Sequence, residues 1–266
     1  IVYTAFDSVT SYSGAIKLYQ ISTGTVTTLS TAAIILEPKI HGNRVVWREG
    51  ASGGYMLKYY ELNWIGTGME PNVFAGPVPL AFDVQIGERF AVWTGLDGDF
   101  DVYAYDFDSD TDYNVTATPA RNERNPATSG DWIVWERDSV AIEGWNLATG
   151  ERISLSNGGG NDNPTIAGNL VAWETNVTGN WDVWVHDLER GTKTRTTFAE
   201  SEQGAIAWTA DGQRLIYLSG TGLDDLRLET VPADASSEPR VLWDGDDCRP
   251  ADTWDNPHVS PDGRFV

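Results

Sequence analysis

Residues 163–197 read NPTIAGNLVAWETNVTGNWDVWVHDLERGTKTRTT, and this stretch predicts four short strands joined by three turns. Asn163-Pro164 opens an extended run over 165–167, and Gly168-Asn169 turns it into a second strand over 170–173. A polar loop over 176–180 leads to the alternating run 182–186, where Val183 and Val185 face away from Trp184 and His186. Glu189-Arg190-Gly191 turns once more into the Thr-rich strand 193–197. A four-stranded antiparallel sheet of this size cannot bury both of its faces alone. It needs neighbours of its own kind, and the rest of the chain supplies them.

An aromatic residue closes an apolar run at Tyr3, Trp47, Trp93, Trp135, Trp173 and Tyr217, at successive spacings of 44, 46, 42, 38 and 44 residues. Tight-turn pairs precede five of these runs: Gly42-Asn43, Gly87-Glu88, Gly130-Asp131, Gly168-Asn169 and Asp211-Gly212. Before several turns lies a short run opened by X-Pro (Glu37-Pro38, Asn125-Pro126, Asn163-Pro164), where proline at a strand start loses no ladder donor. The later half of each unit repeats as well. An alternating third strand starts at Lys17, Asp101, Glu143 and Asp182, and places Tyr19, Tyr105, Trp145 and His186 at one equivalent position. His186 is therefore read as a packed substitute for an aromatic ring.

A period of about 44 residues with four strands per repeat is the signature of a propeller blade. The opening unit lacks its first strand. Residues 255–266 (DNPHVSPDGRFV) supply a first strand, its turn and the start of a second. The expected fold is all-β: a six-bladed β-propeller of four-stranded antiparallel blades. Its ring is closed by the C-terminal strand joining the N-terminal blade, as a single domain over 1–266.

The pattern N-P-x-I-x-G-x-x-V-x-W followed by G-N-W-D-V-x-x-x-D-L-x-x-G resembles the TolB-like propeller repeats, especially the variant in archaeal and bacterial surface proteins. Asn256-Pro257-His258-Val259-Ser260-Pro261-Asp262-Gly263 is similar to the strand opening of TolB-type blades. The resemblance spans the whole chain and implies ring closure by a C-terminal innermost strand. It is specific for fold and weak for function, because propellers host many activities. No N-terminal α/β domain of the TolB kind precedes these blades, so the contacts such a domain makes are not carried over. The hydrolase domain that accompanies similar propellers in prolyl peptidases is not in this sequence either.

The formal net charge is −21. Phosphate binding wants a basic face, so this balance argues against nucleic acid and against an anionic membrane surface as partners. No apolar run is long enough to span a bilayer. The single cysteine, Cys248, rules out an intrachain disulfide and a cysteine-based zinc site. The chain starts inside a strand at Ile1-Val2-Tyr3 and is expected to be a processed product of an exported protein, periplasmic, extracellular or at the cell surface.

In a propeller the first strands line a central channel, and the loops joining second to third strands gather at one mouth. Repeat position places Lys39, His41, Asn125, Asn163, Asn256 and His258 on or beside the channel. It places Arg48, Glu49, Glu136, Arg137, Glu174, Asp97, Asp99 and Asp224 in or near the mouth loops. The carboxylates Asp97, Asp99 and Asp101, two residues apart, have the hard-oxygen chemistry that suits calcium; the ordinary reading is solvated turn residues. Asp106, Asp108 and Asp110 mimic the start of an EF-hand loop, but Thr111 stands where that loop wants glycine, and the repeat aligns the run with a hairpin turn. A third acidic group comprises Asp244, Asp246, Asp247, Asp252 and Asp255. No nucleophile elbow, HExxH motif or phosphate loop occurs.

Two functions compete on these grounds. One is a non-catalytic interaction module that needs no cofactor and binds a protein segment or glycan carrying cationic groups at the channel mouth. The other is a polysaccharide-acting lyase or hydrolase using His41, Lys39 or His258 beside carboxylates. The domain is read as monomeric and able to form part of a larger chain. A third reading is a surface-layer spacer without a ligand.

Overall fold

The computed structural model describes residues 1–8, 11–62, 71–222 and 225–244. Among them there is no α-helix and therefore no helix long and apolar enough to cross a membrane. The strands form six antiparallel sheets. The first has three strands, β1 (Val2–Phe6), β2 (Gly14–Gln20) and β3 (Thr25–Ala32), in that order. The second runs β4 (Ile35–His41), β5 (Arg44–Ala51), β6 (Gly54–Glu61), β7 (Asn72–Val78). The third runs β8 (Ala81–Ile86), β9 (Phe90–Asp97), β10 (Asp99–Asp106), β11 (Thr111–Asn114). The fourth runs β12 (Glu123–Ser129), β13 (Trp132–Arg137), β14 (Ala141–Asn146), β15 (Arg152–Ser154). The fifth is β16 (Asn161–Ala167), β17 (Leu170–Thr175), β18 (Asp182–Asp187), β19 (Thr192–Arg195). The sixth is β20 (Glu202–Trp208), β21 (Arg214–Gly220), β22 (Arg227–Pro232), β23 (Arg240–Asp244).

The opening stretch folds as its alternation predicts. Its second and third strands pair with Val171 opposite His186 and Trp173 opposite Trp184. His186 holds the same register place as Tyr105 opposite Ala91 and Trp145 opposite Ile133. Burial pushes its imidazole below the usual histidine range, in keeping with a packing ring. The strand expected to add residues 255–266 lies outside the described residues.

The chain divides into two compact units, Ile1–Asp131 and Trp132–Val266. In the first, Val46, Leu57, Phe74, Ala81, Val84, Ala91, Trp93 and Tyr105 form one core between the second and third sheets. Ile16, Leu29, Ile35, Val45 and Trp47 form another between the first and second. In the second unit, Ala172, Val183, Val185, Ile206, Leu215, Tyr217, Val231 and Ala233 do the same between the fifth and sixth. The second sheet thus buries both of its faces against its neighbours, as a small twisted sheet must. The repeat aromatics Trp47, Trp93, Trp135, Trp173 and Tyr217 are 0–2% exposed, whereas Tyr3, on β1, an edge strand among the described residues, is 36% exposed.

Candidate functional site

The first strands of the four-stranded sheets share a feature that repeat spacing did not reveal. Their pairing with the second strand slips between Leu36 and Lys39, Phe82 and Gln85, Asp162 and Thr165, and Gly204 and Ala207. The bulged residue takes a left-handed backbone in each: Glu37 at φ 54°, Asp83 at 54°, Asn163 at 48° and Ala205 at 54°. Asn125 of β12 takes the same conformation at φ 50°. Asn and Asp tolerate this region, while Glu37 and Ala205 hold it at a cost of about 1–2 kcal/mol each.

The bulge corrects the reading of X-Pro as a strand start. Pro38, Pro126 and Pro164 are each the fourth residue of their strand, just past the bulged residue, where the ladder is already broken and no donor is lost. The residue after the bulge turns inward, and Val84, Pro126, Pro164 and Ile206 are all buried.

In the first unit the bulges hold a charged cluster. Arg48 Nη2 donates to Glu37 Oε1 at 2.6 Å, and Arg48 Nη1 donates to the Ala81 carbonyl. The Arg48 guanidinium also lies 5.0 Å from the Tyr55 ring centre. The backbone N–H of Val84 donates to Glu37. Asp83 accepts from Thr94 Oγ1 at 3.1 Å and from the backbone N–H of Asn125. Burial pushes both carboxyls above their ordinary range, against the opposing pull of Arg48. Lys39, just past the bulge, adds a second cation beside Glu37. Arg124 stacks 3.8 Å from the Phe100 ring centre, and Phe100 meets Phe82 edge-on at 5.5 Å.

In the second unit the corresponding cluster centres on Glu174. Its Oε1 accepts from the Ala205 backbone N–H at 2.8 Å and from Asn163 Nδ2 at 3.2 Å. Asp162 is its cross-strand partner. Burial, reinforced by the Asp162 charge, pushes Glu174 up to about 7. The close approach depends on glycine: a Cβ at Gly204 would stand 2.8 Å from Glu174 Oε2.

The structure therefore brings Arg48 and Lys39 together with Glu37, and Asn163 together with Glu174. It does not bring His41 to them. His41 sits at the other end of β4, pairs with Arg44 across the turn, and reaches the exposed Glu88 with Nε2 3.5 Å from Oε1. Glu136 is buried and accepts from Ser139 Oγ at 2.8 Å. Asn256, His258 and Asp224 lie outside the described residues, as do Asp246, Asp247, Asp252 and Asp255.

The acidic runs are engaged locally. Asp101 is buried and accepts from Asn114 Nδ2 at 2.9 Å and Thr116 Oγ1 at 3.1 Å, while Asp99 accepts from the Arg121 backbone N–H at 3.1 Å. Asp97 and Asp99 face each other across the Gly98 hairpin. Among the described residues no group of three His, Cys, Asp or Glu side chains is placed to hold a metal ion. Asp106 likewise serves Arg89 and the Asp108 N–H at the β10–β11 hairpin turn.

Sequence reasoning missed Glu37, Asp83, Asp162 and Gly204. The available signal was an Asn, Asp or Glu at one fixed offset before the second strand, which Asp83 carries without a following proline. Chemically, the arrangement presents carboxyls of raised proton affinity and fixed amide dipoles along bulged strands, a setting suited to holding a cationic group.

No family model matches the sequence, and neither does any curated protein sequence. Solved structures do match. A protein assigned as TolB from Agrobacterium tumefaciens superposes at a TM-score of 0.59 and 16% identity, over 88% of this chain and 90% of that one. TolB from Acinetobacter baumannii superposes at 0.61 and 14% identity, over 99% of this chain and 71% of that one. An oligogalacturonate lyase solved in complex with manganese superposes at 0.60 and 12% identity, over 92% and 72%. With six consecutive antiparallel sheets and these likenesses, the chain has a TolB-like β-propeller fold.

Proposed function

We propose that the chain is a non-catalytic binding module of an exported protein, periplasmic or at the cell surface, whose bulged first strands take a protein segment or glycan bearing cationic groups. The observation that carries this reading is the repeated left-handed bulge with its carboxyls, of which Asp162 and Glu174 are the most concentrated pair. The net charge of −21 supports a cationic partner and favours fast encounter with one. An array of Lys- and Arg-containing peptides, with neutral peptides as control, tests it. The Asp162→Lys variant is expected to lose binding by about tenfold or more, the scale of one desolvated charge contact. Undiminished binding would overturn the assignment to these strands.

Action on polysaccharide is the second reading, supported by the lyase among the structures of this fold. It predicts a rise in unsaturated-product absorbance with oligogalacturonate that disappears in His258→Ala. The binding reading predicts no such rise.

The closed ring belongs to the same proposal. What supports it is the edge of β1, which pairs only with β2 among the described residues, and Tyr3, which stands 36% exposed there at a position buried in five other sheets. A fourth strand drawn from residues 255–266 would cover it. Removal of residues 245–266 is then expected to lower the melting temperature by several degrees, on the scale of one lost strand–strand contact; an unchanged melting temperature would count against closure.

A further inference from the structure

A second site lies in the first unit, on the side of β5 away from Arg48. Glu49 is buried, and three donors converge on its carboxylate: Trp47 Nε1 at 2.8 Å, Lys58 Nζ at 2.6 Å and the Ser30 hydroxyl. Burial alone would raise Glu49, but these hydrogen bonds hold it below the usual glutamate range, so it is an anion paired with Lys58. Beside the pair lies an open surface pocket of about 390 Å³, lined by Thr28, Leu29, Ser30, Thr31, Glu49, Lys58 and Pro71.

A bulge in β3 shapes this pocket. The β2–β3 pairing slips between Ile16 and Lys17, so that Leu29 drops into the core and Ser30 turns onto Glu49. The β6–β7 pairing slips as well, between Leu57 and Lys58, and Phe74 packs with Leu57 into the core on the opposite face of the sheet from Lys58. Bulges re-aim side chains in this way next to functional sites.

The fold does not require the cluster. Where Trp47 finds Glu49, the indole N–H groups of Trp135 and Trp173 at the same repeat position have no hydrogen-bond partner. The residues equivalent to Glu49 two places past the repeat aromatic are Gly95, Arg137, Thr175 and Ser219. Those equivalent to Lys58, opposite the aromatic, are Tyr103, Glu143, Trp184 and Glu229.

We infer that this pocket binds a neutral polyhydroxylated ligand of mono- or disaccharide size. Its volume falls within the range of about 300–1,000 Å³ usual for small-molecule sites. The Glu49–Lys58 charges cancel, so the site asks for no ionic partner. Lys58 keeps two ammonium protons beyond the one given to Glu49, the hydroxyls of Thr28 and Thr31 both donate and accept, and that of Ser30, its proton given to Glu49, accepts. That inventory matches the mixed donors and acceptors of sugar hydroxyls.

Saturation-transfer NMR with glucose, galactose, mannose and cellobiose at millimolar concentration tests the inference on the full chain. Wild type is expected to show binding to at least one of them. Thr31→Trp, placed on the exposed rim and filling the pocket without touching Glu49, is expected to weaken it by about tenfold or more, the cost of one or two lost hydrogen bonds. Lys58→Met is expected to do the same. Asp162→Lys, in the other unit, is expected to leave it intact, which separates this site from the first-strand bulges. Absence of any saccharide signal with wild type, or full binding by Thr31→Trp, would overturn the inference.

Discussion

Trp93→Ala is expected to destabilise the first unit by about 3–5 kcal/mol, as removal of a fully buried large aromatic does. Trp93 is 2% exposed and stacks on Tyr103 at 5.7 Å with the rings 15° from parallel. Phe74 meets it edge-on, also at 5.7 Å, and Phe74 in turn packs on Tyr59, Tyr105 and Phe107. Gly95 makes the stack possible, because a Cβ there would lie 2.7 Å from the Tyr103 ring. Deleting the indole leaves a cavity that the five remaining rings cannot close without leaving their rotamers. Denaturant unfolding followed by fluorescence should show a midpoint shift of that size, with a melting temperature lower by roughly 10 °C or more. Trp93→Phe keeps a ring in place and should lose less than half as much. Equal losses for the two variants would mean that the stack is not what holds the second and third sheets together.

The second large effect is pH-dependent. Glu174 is pushed up to about 7 from an ordinary value of 4.5, chiefly by burial and then by Asp162. The folded state therefore holds the proton more tightly than the unfolded chain. The stability this carries is whole below pH 4.5 and is lost as pH rises through 7. Above that, ionised Glu174 costs the fold about 2–3 kcal/mol relative to a neutral group. Glu174→Gln removes the ionisation and keeps an oxygen for the Ala205 N–H. The variant should unfold at a higher denaturant concentration than wild type at pH 8 and at nearly the same concentration at pH 4. Parallel stability curves for the two proteins across that range would refute the assignment.

Much of the architecture was readable in the chain. Strand alternation, the turn pairs and the aromatic recurring from Tyr3 to Tyr217 are local signals, and the four strands of residues 163–197 fell where the alternation put them. The place of His186 among the packing rings followed from repeat position and is confirmed by its register opposite Val171. The candidate site was legible only in part. Asn163, Glu174, Lys39 and Arg48 were singled out by repeat position, and the structure places them on or beside the bulged first strands. Glu37, Asp83 and Asp162 were not, because a bulge is a mismatch between two strands: the recurring Asn, Asp or Glu marks its position, but which side chains it brings together depends on the partner strand. His41 was placed by counting along a strand, and counting does not say at which end of β4 the carboxyls gather.

The division follows from the range of the forces involved. Hydrophobic period, turn chemistry and net charge act over a few residues or over the whole composition, so they specify an acidic all-β repeat chain without further information. The pairing of Glu174 with the Ala205 amide spans 31 residues, and Arg48 reaches Ala81 across 33. Such contacts, the raised proton affinity of Glu174 and the hydroxyl-lined pocket beside Glu49 exist only once neighbouring sheets pack and their bulges set the register. Burial and cross-strand geometry, which tertiary structure alone supplies, decide which of many acidic residues in this chain meet.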